Sequence, residues 1–483
     1  MNMIDEYNED ELYYGFLEEQ TTEANNRLDL PAIIREYTTS ATDVSKYNHV
    51  PAAMTAFVLL GQLSKDMVCI SSGKRREDSR IPFLWMQTSG SGKTELYNFF
   101  GPVAKKTFEL LQSRGHHFDI FDVKEITDAA LIGSMTKEEV VIEGDNGPMR
   151  EYIDVPIKGA LEGDGLIVYD EFEYSGVFKQ SQHKENVVMY LMTLMNTLWG
   201  ENWVITKKLK DGDTVLECKC QRSVYATSYI PKALTSVIAE KGIMQRMLIF
   251  IWEVPQSIQD EIRTSVINEY GKIVDNKAPI EKFAQGFAKV HETLKERYTD
   301  VDNDPLRVIT YSNDFNSAVL REYESMRKYV ESSRAEVMEI ATNFLTRLNN
   351  HLVRLSVLCA IAEAPSIKDK SQRFQVNSRN VAQAGSLIRQ CYKSLVSWLD
   401  TALRVERKSL QENANVNAFK KAYDELNKED SDGFVNKTIL IGKVRSTTKK
   451  GESTIYKWFQ KIADNFEEKR IAKRAYVKWI GEE

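Results

Sequence analysis

The segment Trp85–Phe100, WMQTSGSGKTELYNFF, limits the fold more than any other part of the chain. An apolar run leads into it, a Ser-Gly-Ser-Gly-Lys-Thr turn fills its middle, and helix-forming residues leave it. Glycines in such a turn let backbone N–H groups wrap an anion, and a helix start adds favourable potential. A lysine for the β/γ-phosphates and a hydroxyl for Mg²⁺ complete what a nucleoside triphosphate site needs. Ser89, Gly90, Ser91, Gly92, Lys93 and Thr94 supply those parts. The usual pattern, GxxxxGK[ST], would place its first glycine at position 87, where this chain has Gln87. That change affects the turn leaving the strand and removes no chemical group. The structural alternative is a Gly-Ser loop with no ligand.

Three later strings bear on the same site. GLIVYDEFE reads as a buried strand ending in Asp170 and Glu171. Set beside the loop strand, Asp170 would join a Mg²⁺ shell and Glu171 would polarise an attacking water. A solvated strand cap is the alternative. VYATS reads as a strand ending in Thr227 and Ser228, polar groups placed to sense a γ-phosphate. Asparagine is commoner in that role. Arg246 precedes the apolar run MLIFIW. It is either an ordinary strand-edge arginine or a finger stabilising charge on the nucleotide of a neighbouring subunit.

Strands alternate with helices up to residue 255, which predicts an α/β core with a largely parallel sheet. Residues 1–45 read as an acidic arm and lead-in, 46–255 as the core, 256–410 as helical throughout, and 411–483 as a small α/β module. A helix is expected over 123–135, and hairpins around Gly144–Gly147 and Asp211–Gly212. Residues 1–20 hold seven acids and no cation; residues 433–480 hold twelve Lys/Arg against four Asp/Glu, a local net of +8. The end module reads as three helices, the third capped by Ser453, followed by a two-stranded wing. Lys449, Lys450, Lys457 and Lys461 flank or line the third helix; Lys469, Arg470, Lys473 and Arg474 lie on the wing, with Tyr456 nearby. Cations on helix and wing suit nucleic acid. A protein-docking module of the same shape is the alternative.

The rest of the composition narrows the class. Five cysteines form no CxxC pair and the six histidines show no ligand spacing, so neither a zinc site nor a disulfide framework is expected. No secretion signal is visible and the apolar runs are too short to span a bilayer, so a cytoplasmic protein is expected. The net charge of −6 does not by itself suggest nucleic-acid binding.

In their order, QTSGSGKTELYNFF, GLIVYDEFE, ATSYIP, GIMQRMLIFIWEVP and RLNNHLVRLSVLCAIAEA resemble the ATPase part of phage and plasmid primase-helicase-like proteins. More distantly they resemble MCM-like replicative helicases of the AAA+ class. The resemblance covers roughly residues 46–400 and includes no primase motif. It implies an AAA+-like P-loop NTPase core with an α-helical lid and a C-terminal winged helix. It implies ATP and Mg²⁺ as cofactors and a sensor role for Arg354, whose alternative is ion pairing on a core helix. It also implies a hexameric homo-oligomer. In such enzymes a hairpin ahead of the sensor strand enters the channel; Lys207, Lys208 and Lys210 stand there, unless they only guard an exposed hairpin. The expectation is an ATP-dependent, ring-forming DNA helicase or translocase acting on single-stranded or forked DNA, with the acidic arm meeting replication partners. An ATP-switched origin-binding initiator and a packaging or recombination motor are its rivals.

Overall fold

In the computed structural model, five parallel strands form the centre of the larger of two units, Met1–Asp400 and Thr401–Glu483. The structure describes residues 28–42, 47–72, 75–123, 131–144, 147–174, 178, 185–196, 204–208, 215–231, 238, 242–271, 276–299, 309–367, 374–427, 433–471 and 474–480. The strands are β1 (Phe83–Gln87), β2 (Asp119–Val123), β3 (Gly163–Tyr169), β4 (Val215–Ser228) and β5 (Leu248–Trp252). Their order in the sheet is β5-β1-β4-β3-β2, every neighbouring pair parallel. β1 and β5 are buried along their whole length, as strands covered on both faces must be, and they read as continuous apolar runs. The expected mixed α/β class with a parallel sheet is therefore present.

Helix α1 (His49–Ser64) is buried from Val50 to Ser64. It runs antiparallel to β1. Asn48, just ahead of it, meets Gln87, while at its far end a Cβ on Gly61 would come within 2.8 Å of the Ser79 carbonyl oxygen. Helix α2 (Lys93–Gln112) follows β1 and packs Phe100 against Tyr225 of β4, ring centroids 5.3 Å apart. β2 and β3 approach so closely that a Cβ on Gly165 (φ +136°) would lie 1.9 Å from the Asp119 carbonyl oxygen. Helix α3 (Ala335–Ala362) belongs to the helical half of the unit.

Several local expectations change. VLECKC and RSVYATS are one 14-residue strand, β4, because no Gly or Pro interrupts them. Its first part pairs antiparallel with Val204–Lys208, and its last part enters the parallel sheet. Gly133 already opens a strand where a helix was expected; residues 124–130 lie outside the described ones. Gly133–Gly144 and Gly147–Lys158 form the first expected hairpin, in strands of 12 residues each. The span 256–410 is not helical throughout, since Ile309–Tyr311 pairs in parallel with Phe374–Val376.

The second unit contains the end of the helix Ser378–Asn427, then α4 (Lys437–Thr448) and α5 (Glu452–Lys461). Its antiparallel sheet has the order β6 (Val435–Asn436), β8 (Arg474–Trp479), β7 (Phe466–Ile471). Phe419, Leu440, Ile455, Phe459, Phe466 and Val477 lie in its core. Fully burying one such side chain stabilises by roughly 1.5–3 kcal/mol. Asn436 caps α4, its side chain accepting from Thr438 N (3.0 Å) and Ile439 N (3.3 Å). Ser453 is not the cap of α5. Gly451 holds that position, and Ser453 lies one residue inside the first turn.

Candidate functional site

The five parallel strands end on one edge of the sheet, and the loop Thr88–Gly92 leaves β1 there. The carboxyl ends of parallel strands are where α/β sheets receive ligands. Gly90 (φ +72°) and Gly92 (φ +89°) both adopt the left-handed backbone that a side chain would strain. Gly92 caps α2 in that conformation, so the helix starts with its first amides unused by a side-chain cap. A Cβ on Gly90 would meet nothing within 4 Å, so the face of the loop is open. The Ser91 hydroxyl donates to Thr88 O (2.6 Å), and the Thr88 hydroxyl accepts from Val254 N just beyond β5 (3.0 Å). Ser89 and Thr94 are more exposed than Ser91.

Lys93 folds back over this edge. Its ammonium donates to Gln87 O (2.6 Å), Thr88 O (3.3 Å) and Ser228 O (3.3 Å), and sits 4.7 Å from the centre of the Tyr229 ring. Burial pushes its pKa down to about 8, against the opposing pull of Glu173 and Asp170.

The acids are not beside the loop strand as expected. β4 lies between β1 and β3, which sets the acid strand two strand spacings, about 10 Å, from the loop strand. The hydroxyls at the end of β4 bridge that gap. Thr227 Oγ1 donates to Asp170 Oδ1 (2.7 Å), and Ser228 Oγ donates to Glu173 Oε2 (2.7 Å). Glu171 is exposed and held at φ +61°, a conformation that disfavours any side chain and recurs at functional sites. Glu173 was missed in the sequence. Its signal was the third acid of Asp-Glu-Phe-Glu, brought in by the short 3₁₀ turn Phe172–Tyr174.

Two arginines lie at the opposite edge. Arg246 precedes β5, whose first residue pairs with Phe83, so about 13 Å of strand separates it from the loop end. It donates to Gly242 O (2.9 Å) and Asn196 Oδ1 (3.4 Å). Arg354 on α3 is buried and ion-paired with Glu77. Glu77 stands two residues before Ser79, at the end of α1 remote from the loop; that helix is about 23 Å long. The structure therefore does not bring Arg354 to the sheet edge that carries the loop of its own chain.

Among the described residues no group of three or more His, Cys, Asp or Glu is placed to hold a metal. The Thr94 hydroxyl and the Asp170 carboxylate are hard oxygen donors. They fit a Mg²⁺ ion, which keeps several waters and takes few protein ligands.

Lys207 and Lys208 lie on the strand paired with the start of β4, while Lys210 falls outside the described residues. In the second unit Lys449, Lys450, Lys457, Lys461, Arg470 and Arg474 are exposed, and Lys473 falls outside the described residues. Lys449 takes φ +57° at the α4–α5 turn. A shallow depression there is lined by Gly442, Arg445, Ser446, Lys449, Lys450 and Gly451. Lys469 instead covers the Phe434 ring at 3.5 Å. No helix among the described residues is long and apolar enough to cross a membrane. Neither the family models nor the curated proteins yield a match to the chain.

Proposed function

We propose that the chain is an ATP-hydrolysing DNA translocase or helicase of the AAA+ type, working as a ring and holding DNA partly through a C-terminal winged helix. The observation that carries this reading is the Thr227–Asp170 hydrogen bond, made on the same sheet edge that receives Lys93. It ties a polar strand end to an acid and sets both against a glycine loop. A solvated strand cap has no need of such a link.

In this reading the amides of Ser89–Gly92 bind the phosphates of ATP, and Lys93 leaves the carbonyls of Gln87, Thr88 and Ser228 to meet them. Thr94 and Asp170 would hold Mg²⁺, which neutralises phosphate charge when bound. Thr227 fixes the carboxylate of Asp170. Glu171 orients and polarises the attacking water. Arg246, at the far edge from its own loop, serves the nucleotide of the next subunit, which favours a closed ring. Lys207, Lys208 and Lys210 contact phosphates of one strand without reading bases, and the cations of the second unit add contacts of the same kind.

The Glu171→Gln variant is expected to bind ATP as tightly as wild type and to hydrolyse it on the order of 10²–10³-fold more slowly. Hydrolysis that survives in Glu171→Gln but is lost in Glu173→Gln moves the water-polarising role to Glu173. The double variant Lys207→Ala/Lys208→Ala is expected to keep basal hydrolysis and lose its stimulation by single-stranded DNA. The salt dependence of DNA affinity should fall by a slope of about 2. Unchanged stimulation removes the hairpin from the DNA path.

A further inference from the structure

Gln87, where the usual loop pattern has glycine, needs no glycine here. It is still in β1, paired with Trp252, and its backbone is not left-handed. Its side chain is fully buried beneath the loop and donates from Nε2 to Asn48 Oδ1 (3.2 Å). Asn48 in turn donates from Nδ2 to the carbonyl of Ser91, in the middle of the loop (2.8 Å). All three residues are buried.

Asn48 holds the N-cap position of α1, where an asparagine side chain ordinarily accepts from its own helix's first amides. It makes no such bond. Its amide is turned instead to the loop and to Gln87. Both ends of the loop's inner face are thereby tied down: the Ser91 hydroxyl to Thr88 O, the Ser91 carbonyl to Asn48, and Asn48 to Gln87. With its carbonyl held, Ser91 cannot rotate its peptide plane. Gly90, one residue earlier, faces free space.

We propose that the Gln87–Asn48 amide pair is a positioning device that presets the phosphate-binding conformation of the loop, taking over what the missing glycine does in the usual pattern. This rests on the nucleotide reading given above for its consequence, though not for its geometry. Gln87 and Asn48 are positioning residues, acting through Ser91 and touching no reacting atom.

The test uses the whole 483-residue chain with three single variants: Asn48→Ala, Gln87→Met, which fills the same space without an amide, and Gln87→Gly, which restores the usual pattern. Two measurements are made. Hydrogen exchange of the loop amides, without nucleotide, is expected to quicken by about tenfold in Asn48→Ala and Gln87→Met, the loss of one buried hydrogen bond. Equilibrium binding of a fluorescent ATP analogue is expected to weaken by about tenfold in all three, including Gln87→Gly, with kcat at saturating ATP changed little. The Asn48→Ala/Gln87→Met double variant is expected to be no worse than either single one, because the two residues form one chain of bonds. Circular dichroism melts confirm that each variant is folded. Loop exchange that is unchanged in the two amide-removing variants overturns the proposal. So does wild-type affinity in Gln87→Met or Gln87→Gly. If the wild-type protein binds no nucleotide, the ATP reading falls, and the loop exchange alone then decides whether the brace exists.

Discussion

Lys93→Ala is expected to abolish the proposed ATP hydrolysis, with a loss on the order of 10³-fold in kcat. The ammonium now held by three backbone carbonyls has no substitute at that position, since the charged groups that act on it there, Glu173 and Asp170, are acids. A malachite-green phosphate assay with and without DNA measures the loss; hydrolysis within tenfold of wild type contradicts the site. The same residue sets a pH dependence. In the free protein Lys93 loses its proton near pH 8, so kcat/KM should fall as pH rises through that value. The stability effect has the opposite sign. The folded value lies below the unfolded 10.5, so between about pH 8 and 10.5 the unfolded chain binds more protons here and stability rises with pH. Below pH 8 the charged, half-buried ammonium is a burden on the fold. Nucleotide-free Lys93→Met should therefore melt no lower than wild type at pH 7 and lack that rise. A variant that loses activity because it melts early would argue for a structural lysine.

The largest stability effect is expected from Arg354→Ala. Its guanidinium and the carboxylate of Glu77 are both buried. Removing one partner of a buried ion pair costs about 3–5 kcal/mol. Replacing both, as in Arg354→Met/Glu77→Leu, should return most of that loss. Urea melts of the two variants measure it. A nucleotide sensor predicts the reverse pattern: a normal melt, lost hydrolysis, and no rescue by changing Glu77. The pair joins α3 to the segment that leads into β1, so its disruption should be felt across the larger unit.

What could be read in advance follows from where each signal resides. The loop, its flanking strand and helix, and the strand ending at Asp170 are local patterns, and their residue types state their chemistry. The order of the sheet is not local. Nothing in GLIVYDEFE says that β4 will lie between it and the loop, so the acids were expected one strand too near. Arg354 was a matter of helix placement: the motif resemblance gave it a position in the chain, while its partner Glu77 lies 277 residues earlier. Ser453 misled for a different reason. A serine is a good cap, but Gly451 already supplies extended backbone two residues earlier, and the helix begins as soon as it can. Glu173 needed the 3₁₀ turn, which brings a residue four past the strand to the Ser228 hydroxyl.

β4 has a mechanical consequence. Its fourteen residues span about 45 Å without a glycine or proline. One end stops at Thr227 and Ser228, hydrogen-bonded to Asp170 and Glu173; the other carries the arm opposite Lys207 and Lys208. A rod with no joint has no place to absorb a displacement. In the proposed motor, a tilt of the strand at the acids would be carried along its length toward the lysine arm.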